Sequence, residues 1–528
     1  MATKRTLFLG DEALAQGALD AGISGVYAYP GTPSTEIMEY VQQAPEAAAR
    51  GVHRLWSANE KTALEEALGM SYAGKRALCC MKHVGLNVAA DAFMNAAVTG
   101  VNGGLVVVAA DDPSMHSSQN EQDSRFYGKF AAVPVFEPAS QQGAYDMMRQ
   151  AFEFSEQLRL PVLLRITTRL AHSRADVTAS APRSENPLNV STSTRQWVLL
   201  PGHARHNWAS LMARLPDITR QADALPWNRF IPGPDRSLGI IAAGLAFNYL
   251  NECFPDGCPH PVLKISQYPL SPDRIGALQA ACDAILVLED GAPFIEEQLT
   301  GLFPKPVMRI RGRLDGTLPR TGELTPENVA AALGRSRPEG PAVPALMTPR
   351  PPALCRGCPH CDSYAFLKEA LAGFPASRVF SDIGCYTLGA LPPYEAIHSC
   401  VDMGASITMA KGAADAGVSP SVAVIGDSTF THSGLTGLLD AVAEKTPMTL
   451  LILDNEITGM TGGQESLALG RLEALCLGIG VDPTHLRVLL PLARHHAENV
   501  GIVREELEWP GVSVVIARRA CIQIKKKG

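Results

Sequence analysis

An α/β chain of several doubly wound, mostly parallel sheets is the architecture this sequence predicts, and three observations predict it. Continuous apolar runs of about four to eight residues recur from end to end, and such runs suit strands covered on both faces. Amphipathic stretches long enough for helices separate them. Hydrophobic residues make up 46% of the chain and charged residues 19%, a mixture with ample apolar material for more than one core. At roughly 150 residues per domain, 528 residues predict three or four domains.

Taken in order, "RALCCM", "GLVVVAAD" and "PVLLRIT" are the strands of the first third. The helix "NEKTALEEALGMSYAG" accompanies them, with Leu64, Ala67, Leu68 and Tyr72 on one face. In the middle come "LGIIAAG", "PVLKIS", "AILVLED" and "VMRIRG", and in the last third "RVFSDIG", "SVAVIGD", "MTLLILDN" and "VSVVIARR". Repeated strand–helix units of this kind build doubly wound sheets. Two stretches interrupt them: a polar, irregular connector over 179–235 and a proline-rich linker, "SRPEGPAVPALMTPRPPA", over 336–353. They divide the chain into α/β domains at 1–178, 236–335 and 354–528.

Composition excludes several function classes. The net charge is −7 and the only basic run is the terminal "KKKG", which argues against nucleic acid as the main partner. The N-terminus lacks an apolar segment of secretory length. No run reaches the roughly 18 apolar residues that a membrane span needs. The expectation is a soluble, cytoplasmic protein. In that compartment twelve cysteines point to metal or redox chemistry rather than to disulfides.

One motif carries the chemistry of a diphosphate and its metal. "SVAVIGDSTFTHSGL" ends an apolar strand at Gly426 and Asp427, then turns through Ser428. Asn455 follows 28 positions after Asp427, at the end of the next strand. A diphosphate needs backbone N–H groups from a tight turn or helix start. Its Mg²⁺ needs oxygen ligands. The plain alternative is that Gly426-Asp427 merely ends a strand and Asn455 caps a turn. Both flanking strands and the downstream "TGMTGGQ" favour the cofactor, because the arrangement resembles that of thiamine diphosphate enzymes. That resemblance implies Asp427 and Asn455 as side-chain ligands and the Ile457 carbonyl as the third.

"CRGCPHC" crowds Cys355, Cys358 and Cys361 together. A ferredoxin-type run would read C-x2-C-x2-C-x3-C-P, and nothing follows Cys361 until Cys385. Zinc on four thiolates suits a CxxC pair equally well.

"YPGTPSTEI", "SANEKTALEEALGMSYAG", "MKHVGLNVAAD", "DDPSMHSSQNEQDSR", "CRGCPH", "SDIGCYTLG" and "GDSTFTHSGL" occur in an order that resembles the large (α) subunit of indolepyruvate:ferredoxin oxidoreductase, in the 2-oxoacid:ferredoxin oxidoreductase superfamily. The resemblance runs from about Tyr29 to Cys521. It implies a multi-domain thiamine diphosphate-binding fold, with a pyrimidine-binding domain (1–178), a transketolase C-terminal-like domain (236–335) and a diphosphate-binding domain (354–528). The implied activity is oxidative decarboxylation of arylpyruvates such as indolepyruvate or phenylpyruvate with CoA, giving arylacetyl-CoA, CO2 and two electrons. It further implies that Glu60 hydrogen-bonds the aminopyrimidine ring and favours the imino form that takes the cofactor's proton, whereas a plain reading makes Glu60 a helix-start carboxylate. Thr32 would cap a helix, with Pro33 at its first position, and would also lie near the substrate's carbonyl or carboxylate. Arg125 is the candidate clamp for that carboxylate, since guanidinium pairs with it in bidentate fashion; a surface ion pair is the alternative. His83 and His432 are left unassigned.

The same resemblance implies one 4Fe–4S cluster on Cys355, Cys358, Cys385 and Cys521, with Cys361 outside the set. Strand-end cysteines can converge because parallel strands share a C-terminal edge. Cys79, Cys80, Cys253, Cys258, Cys282, Cys400 and Cys476 read as core or incidental thiols. Many large subunits of the family continue past the last cysteine into a ferredoxin-like domain. This chain has seven residues there, so the expectation is a heterotetramer with a small (β) subunit, passing electrons to ferredoxin or another acceptor protein. A non-oxidative thiamine diphosphate-dependent 2-oxoacid decarboxylase and a non-catalytic scaffold are the rival readings.

Overall fold

All of the apolar runs named above form strands. The computed structural model describes residues 5–190, 195, 197–301, 308–336, 344–348 and 351–524. The terminal "KKKG" and part of the proline-rich stretch lie outside the described residues. The chain divides into two compact units, Met1–Pro341 and Ala342–Gly528.

The first unit holds two principal sheets. One has seven strands in the order Gln267–Tyr268, Val135–Phe136, Val162–Thr167, Leu105–Asp111, Ala77–Lys82, Gly25–Ala28 and His53–Trp56. All pairings are parallel except that of Gln267–Tyr268, which adds antiparallel at the edge. Every residue of Leu105–Asp111 is buried, as expected of a central strand covered by helices on both faces. The second sheet orders Arg309–Arg311, Ala284–Leu288, Gly239–Ala243, Val262–Ile265 and Arg229–Ile231, the last of them antiparallel. Just after Val262–Ile265 the chain crosses to the seven-stranded sheet as Gln267–Tyr268, and the apolar core is shared.

The connector read over 179–235 contains a helix, Pro201–Asp223. Its buried residues are Leu211, Ile218 and Ala222, a stripe so narrow that the polar majority hides it. Gly25–Ala28 and His53–Trp56 also went unread, because four residues give too little periodicity.

The second unit is a six-stranded parallel sheet: Ser399–Cys400, Arg378–Ser381, Ser421–Gly426, Met448–Asp454, Val512–Arg518 and Leu486–Leu489. Alternate residues feed two separate apolar layers. Val422, Val424, Leu451, Leu453 and Val515 pack on one side; Ala423, Ile425, Leu450, Ile452 and Val514 pack on the other. Each fully buried Val, Leu or Ile contributes about 1.5–3 kcal/mol, so the two-period strand pattern anchors both layers at once. The C-terminal strand ends are thereby rigidly spaced. No described helix is long and apolar enough to cross a membrane.

Candidate cofactor and redox site

In the second unit the strand Ser421–Gly426 ends at Gly426, where a Cβ would fall 2.6 Å from the Tyr386 ring. Only glycine fits there. A helix starts at Asp427, passes through a π-helical turn over Phe430–Gly434 and continues as Leu435–Ala443. Its first-turn N–H groups have no partner within the helix, which is how helix starts receive phosphates. Asp427 is buried and its Oδ2 has no hydrogen-bond partner. Burial pushes its carboxyl up to about 7; the Ser466 hydroxyl opposes this and the charge of Asp454 adds to it.

Asn455, at the end of the neighbouring strand, is also buried. One terminal atom of its amide lies 2.7 Å from the Ile457 carbonyl oxygen and 3.3 Å from Asp427 Oδ1. The Ile457 N–H reaches that same atom at 3.3 Å, as a donor to Asn455 Oδ1. The other amide atom lies 3.4 Å from His360 Nε2. Burial, helped by the Arg519 charge, pushes the His360 imidazole down to about 4, so at neutral pH it is uncharged and can accept the Asn455 N–H. In that orientation three oxygens, from Asp427, Asn455 and Ile457, face one another; in the swapped one, which hydrogen bonding favours without a cation, the amide nitrogen donates to the Ile457 carbonyl and to Asp427 Oδ1. Oxygens so placed repel unless a cation sits among them, and adjacent ligands of an octahedral Mg²⁺ are about 3 Å apart. Just before Ile457, Glu456 has φ +71°, a left-handed conformation uncommon outside glycine. The donor set fits Mg²⁺.

Two of the candidate thiols, Cys385 and Cys521, follow other strands of the same sheet, and two, Cys355 and Cys358, precede a helix. Cys358 sits directly before the helix Pro359–Ala370, and Cys385 begins a short 3-10 turn after Arg378–Ser381. The C-terminal segment is tied to the CxxC loop by Arg519, whose guanidinium donates to the Gly357 carbonyl at 3.1 Å and to Asp362 at 2.8 Å. Gln523 bridges two sulfurs: its N–H donates to Cys521 Sγ at 3.5 Å and its side-chain amide to Cys355 Sγ at 4.0 Å. Burial pushes the Cys358 thiol up to about 12, and the charges of Cys361, Cys385 and Cys521 add to it. Burial pushes Cys385 up to about 11, with Cys521 and Cys355 adding. The four cysteines therefore lie within electrostatic reach of one another. Among the described residues, no three of these sulfurs approach within 4.8 Å of each other. Cys361 lies beside this set, and Tyr394 interacts with its thiol. Of the remaining seven cysteines, Cys79, Cys80, Cys253, Cys282 and Cys476 are buried.

In the first unit Glu60 opens the helix Glu60–Tyr72, capped by the Asn59 side chain, which accepts from the Thr62 N–H at 2.8 Å. The Glu60 carboxylate is buried. A Cβ on Gly85 would come within 2.7 Å of Glu60 Oε1, so glycine at 85 makes the room Glu60 occupies. Lys82 ends the adjacent strand. Burial lowers its pKa, while the charges of Asp112 and Glu60 raise it.

Two expectations need correction. Thr32 is not a helix cap: Thr32-Pro33 is a cis peptide and the helix starts at Thr35. The turn before it is closed by Ser34 Oγ, which donates to the Gly31 carbonyl at 2.7 Å, and by the Gly31 N–H, which donates to Thr35 Oγ1 at 3.0 Å. The Thr32 carbonyl accepts from Ser117 Oγ at 3.4 Å. Arg125, in turn, has no donor to offer a substrate. It is fully buried, its Nε donates to Asp123 at 2.9 Å, and its Nη1 donates to Glu289 at 2.9 Å and to the Tyr268 hydroxyl at 3.2 Å. Nη2 donates to Asp123 and to the carbonyls of Asp290 and Ala292. Arg125 thus pins its helix to the loop after the strand Ala284–Leu288. A single sequence cannot separate a substrate clamp from such a lock, since both need arginine.

Two family profiles match the chain: "Thiamine pyrophosphate enzyme, C-terminal TPP binding domain" over residues 382–484, and "Pyruvate flavodoxin/ferredoxin oxidoreductase, thiamine diP-bdg" over residues 16–221. The indolepyruvate oxidoreductase subunit IorA of Archaeoglobus fulgidus is 38% identical, over 98% of this chain and 86% of that relative. The chain belongs to the IorA family of indolepyruvate oxidoreductase subunits. IorA of Pyrococcus abyssi is likewise 38% identical over 98% of this chain and 86% of its own length. A solved 2-oxoglutarate:ferredoxin oxidoreductase from Magnetococcus marinus shares the fold, with a TM-score of 0.50 at 16% identity, covering 63% of this chain and 65% of that one.

As a member of the IorA family, the chain is an oxidoreductase subunit with thiamine diphosphate-binding domains, and the subunit naming implies a partner subunit. Asp427, Asn455 and Cys385 lie within the first matched region; Glu60 and Thr32 lie within the second. One residue beside the candidate site escaped sequence reading: His360, two positions after Cys358 and against Asn455. Its signal was present in "CPHC", a histidine between two thiols, but its contact with a residue 95 positions away was not.

Proposed function

We propose that this subunit carries out the thiamine diphosphate-dependent oxidative decarboxylation of arylpyruvates. The balance is 2-oxoacid plus CoA to acyl-CoA, CO2, a proton and two electrons, which one 4Fe–4S cluster would accept when bound. The observation that carries the reading is the backbone bond from the Cys521 N–H to the Asn455 carbonyl at 3.1 Å. It joins the thiol set to the diphosphate-metal oxygens, and a lyase without electron transfer has no use for thiols in that place.

Asp427, Asn455 and the Ile457 carbonyl hold Mg²⁺. Gly426 lets the turn approach closely, and the N–H groups from Ser428 onward receive the diphosphate. Glu60 holds a proton against the aminopyrimidine ring. His360 keeps the Asn455 oxygen turned toward the metal. Thiamine diphosphate itself supplies the electron sink that decarboxylation requires. Cys355, Cys358, Cys385 and Cys521 hold the cluster. The pyrimidine-binding, transketolase-like and diphosphate-binding roles fall to 1–178, 236–335 and 354–528. A small subunit completes a heterotetramer in the cytoplasm, and ferredoxin or another protein takes the electrons.

The test is an anaerobic assay of the purified complex with a viologen acceptor and a panel of 2-oxoacids, with and without CoA. Aryl substrates should turn over faster than pyruvate or 2-oxoglutarate, and only with CoA. Equal or better turnover of those two rejects the aryl assignment. A colourless anaerobic preparation without iron or acid-labile sulfide, releasing aldehyde, returns the reading to a simple decarboxylase.

A further inference from the structure

Far along the sequence from Glu60's neighbours, three elements of the first unit bring Asp11, Glu36 and His172 together. Their ligand atoms all lie within 4.8 Å of one another, and His172 Nε2 is 3.5 Å from Glu36 Oε1. Asp11 stands in the first turn of the helix Gly10–Asp20, Glu36 in the first turn of Thr35–Gln43, and His172 at the end of Thr168–His172. Gly10 makes the approach possible: a Cβ there would strike the Leu170 carbonyl at 2.2 Å.

The cluster has too many acceptors. Asp11 is 0% exposed, yet neither of its carboxylate oxygens has a hydrogen-bond partner, and the same holds for Glu36 Oε2. Buried carboxylate oxygens in native proteins are almost always met by a donor, an ordered water or an ion. Arg174, two positions past His172, is engaged by Glu12 at 3.3 Å, and Glu12 also accepts the Leu9 N–H at 2.7 Å. Among the described residues, His172 is the one titratable group besides the two carboxylates whose ligand atom lies within 4.8 Å of both.

The geometry points to a second divalent-cation site, formed by Asp11, Glu36 and His172 and separate from the Asp427 site. Two carboxylates and one imidazole suit a first-row ion such as Mn²⁺ or Zn²⁺ better than Mg²⁺, which takes all-oxygen shells. Asp11 lies at the closed end and half-exposed His172 at the open end, giving the ion a way in. Its position gives it a task. Glu36 directly follows the Gly31–Ser34 turn that carries Thr32, so an ion here would tie that turn to the helices bearing Asp11 and His172.

The test uses the full-length chain, stripped with a chelator and free of thiamine diphosphate, with Mn²⁺ as probe because it competes poorly for thiolates. Electron paramagnetic resonance titration should count one tightly held Mn²⁺ per chain in the wild type and in Asp427→Asn. Asp11→Asn and Glu36→Gln should weaken binding at least about tenfold. His172→Gln, at the exposed edge and least disruptive to folding, should do the same. Absence of Mn²⁺ binding in the wild type, or wild-type affinity in a folded His172→Gln or Asp11→Asn protein, overturns the site and leaves a carboxyl pair sharing a proton. Neither result touches the reading of Asp427 and Asn455.

Discussion

Two buried polar clusters, one in each unit, look alike in composition and differ in completeness. Around Arg125 and Arg165, four carboxylates and several carbonyls meet guanidinium donors on every side. Around Asp427, the Asn455 amide can present either its oxygen or its nitrogen to the Ile457 and Asp427 oxygens, and Asp427 Oδ2 meets no donor. A satisfied network is a structural device, because any ligand would have to break bonds already made. An unsatisfied one costs stability unless something external completes it. The contrast favours Arg125, the more obvious substrate-binding residue by chemistry, as a lock, and the less conspicuous Asn455 as part of the proposed site.

Substitutions can break that contrast. The largest effect should come from Glu60→Ala, which is expected to lower turnover by at least about 10²–10⁴-fold while iron content and the circular dichroism spectrum stay unchanged. A variant that keeps a tenth of wild-type activity would remove Glu60 from the chemistry. Arg125→Met should leave three carboxylates facing a lost charge and destabilise the first unit by about 3–5 kcal/mol in urea unfolding. Asp427→Asn should abolish detectable Mg²⁺-dependent thiamine diphosphate binding in calorimetry with no comparable loss of stability. If the two variants exchange these phenotypes, the structural and ligand-binding assignments are reversed.

His360 sharpens the comparison further. His360→Leu should weaken cofactor binding about 10–100-fold, the range for groups that orient a metal ligand. His360→Gln, which still offers an acceptor to the Asn455 amide, should recover most of it. A leucine variant that binds like the wild type would detach His360 from the site. The smallest effect is in pH. Burial would raise the Asp123 carboxyl, but the Arg125 and Arg165 charges outweigh it and hold it at about 2, below the ordinary 3.8. A depressed carboxylate contributes stability above its unfolded pKa and loses it as pH falls through the folded value. Unfolding free energy from this source should therefore be intact at pH 5 and disappear between about pH 4 and 2. Asp123→Asn should flatten that segment of the acid-unfolding curve, and an unchanged segment would show that the Asp123 carboxyl does not set it.

Much of this was legible in one dimension. Strands such as Leu105–Asp111 and Met448–Asp454 announce themselves, because a strand buried on both faces must be apolar at nearly every position. Gly426, Asp427 and Asn455 stood out as candidates because a metal-diphosphate site would need fixed residue types at the ends of two adjacent strands. Gly25–Ala28 and His53–Trp56 were not, since their strand character comes from neighbours they pair with. The helix Pro201–Asp223 was concealed for the opposite reason: so little of it is buried that its pattern reads as solvent-exposed chain.

From sequence alone came the repeated α/β plan, the residue types able to hold a diphosphate, its metal and a set of thiols, and the family resemblance. Those follow from periodicity and local chemistry, which a linear string contains. Tertiary structure alone decided that Arg125 is saturated, that Thr32 sits in a turn ahead of its helix, that His360 touches Asn455, and that Asp11 is stranded beside Glu36 and His172. Each of these depends on which groups from distant positions share one small buried volume, and whether a polar atom there has met its partner is a property of the folded neighbourhood and not of the residue.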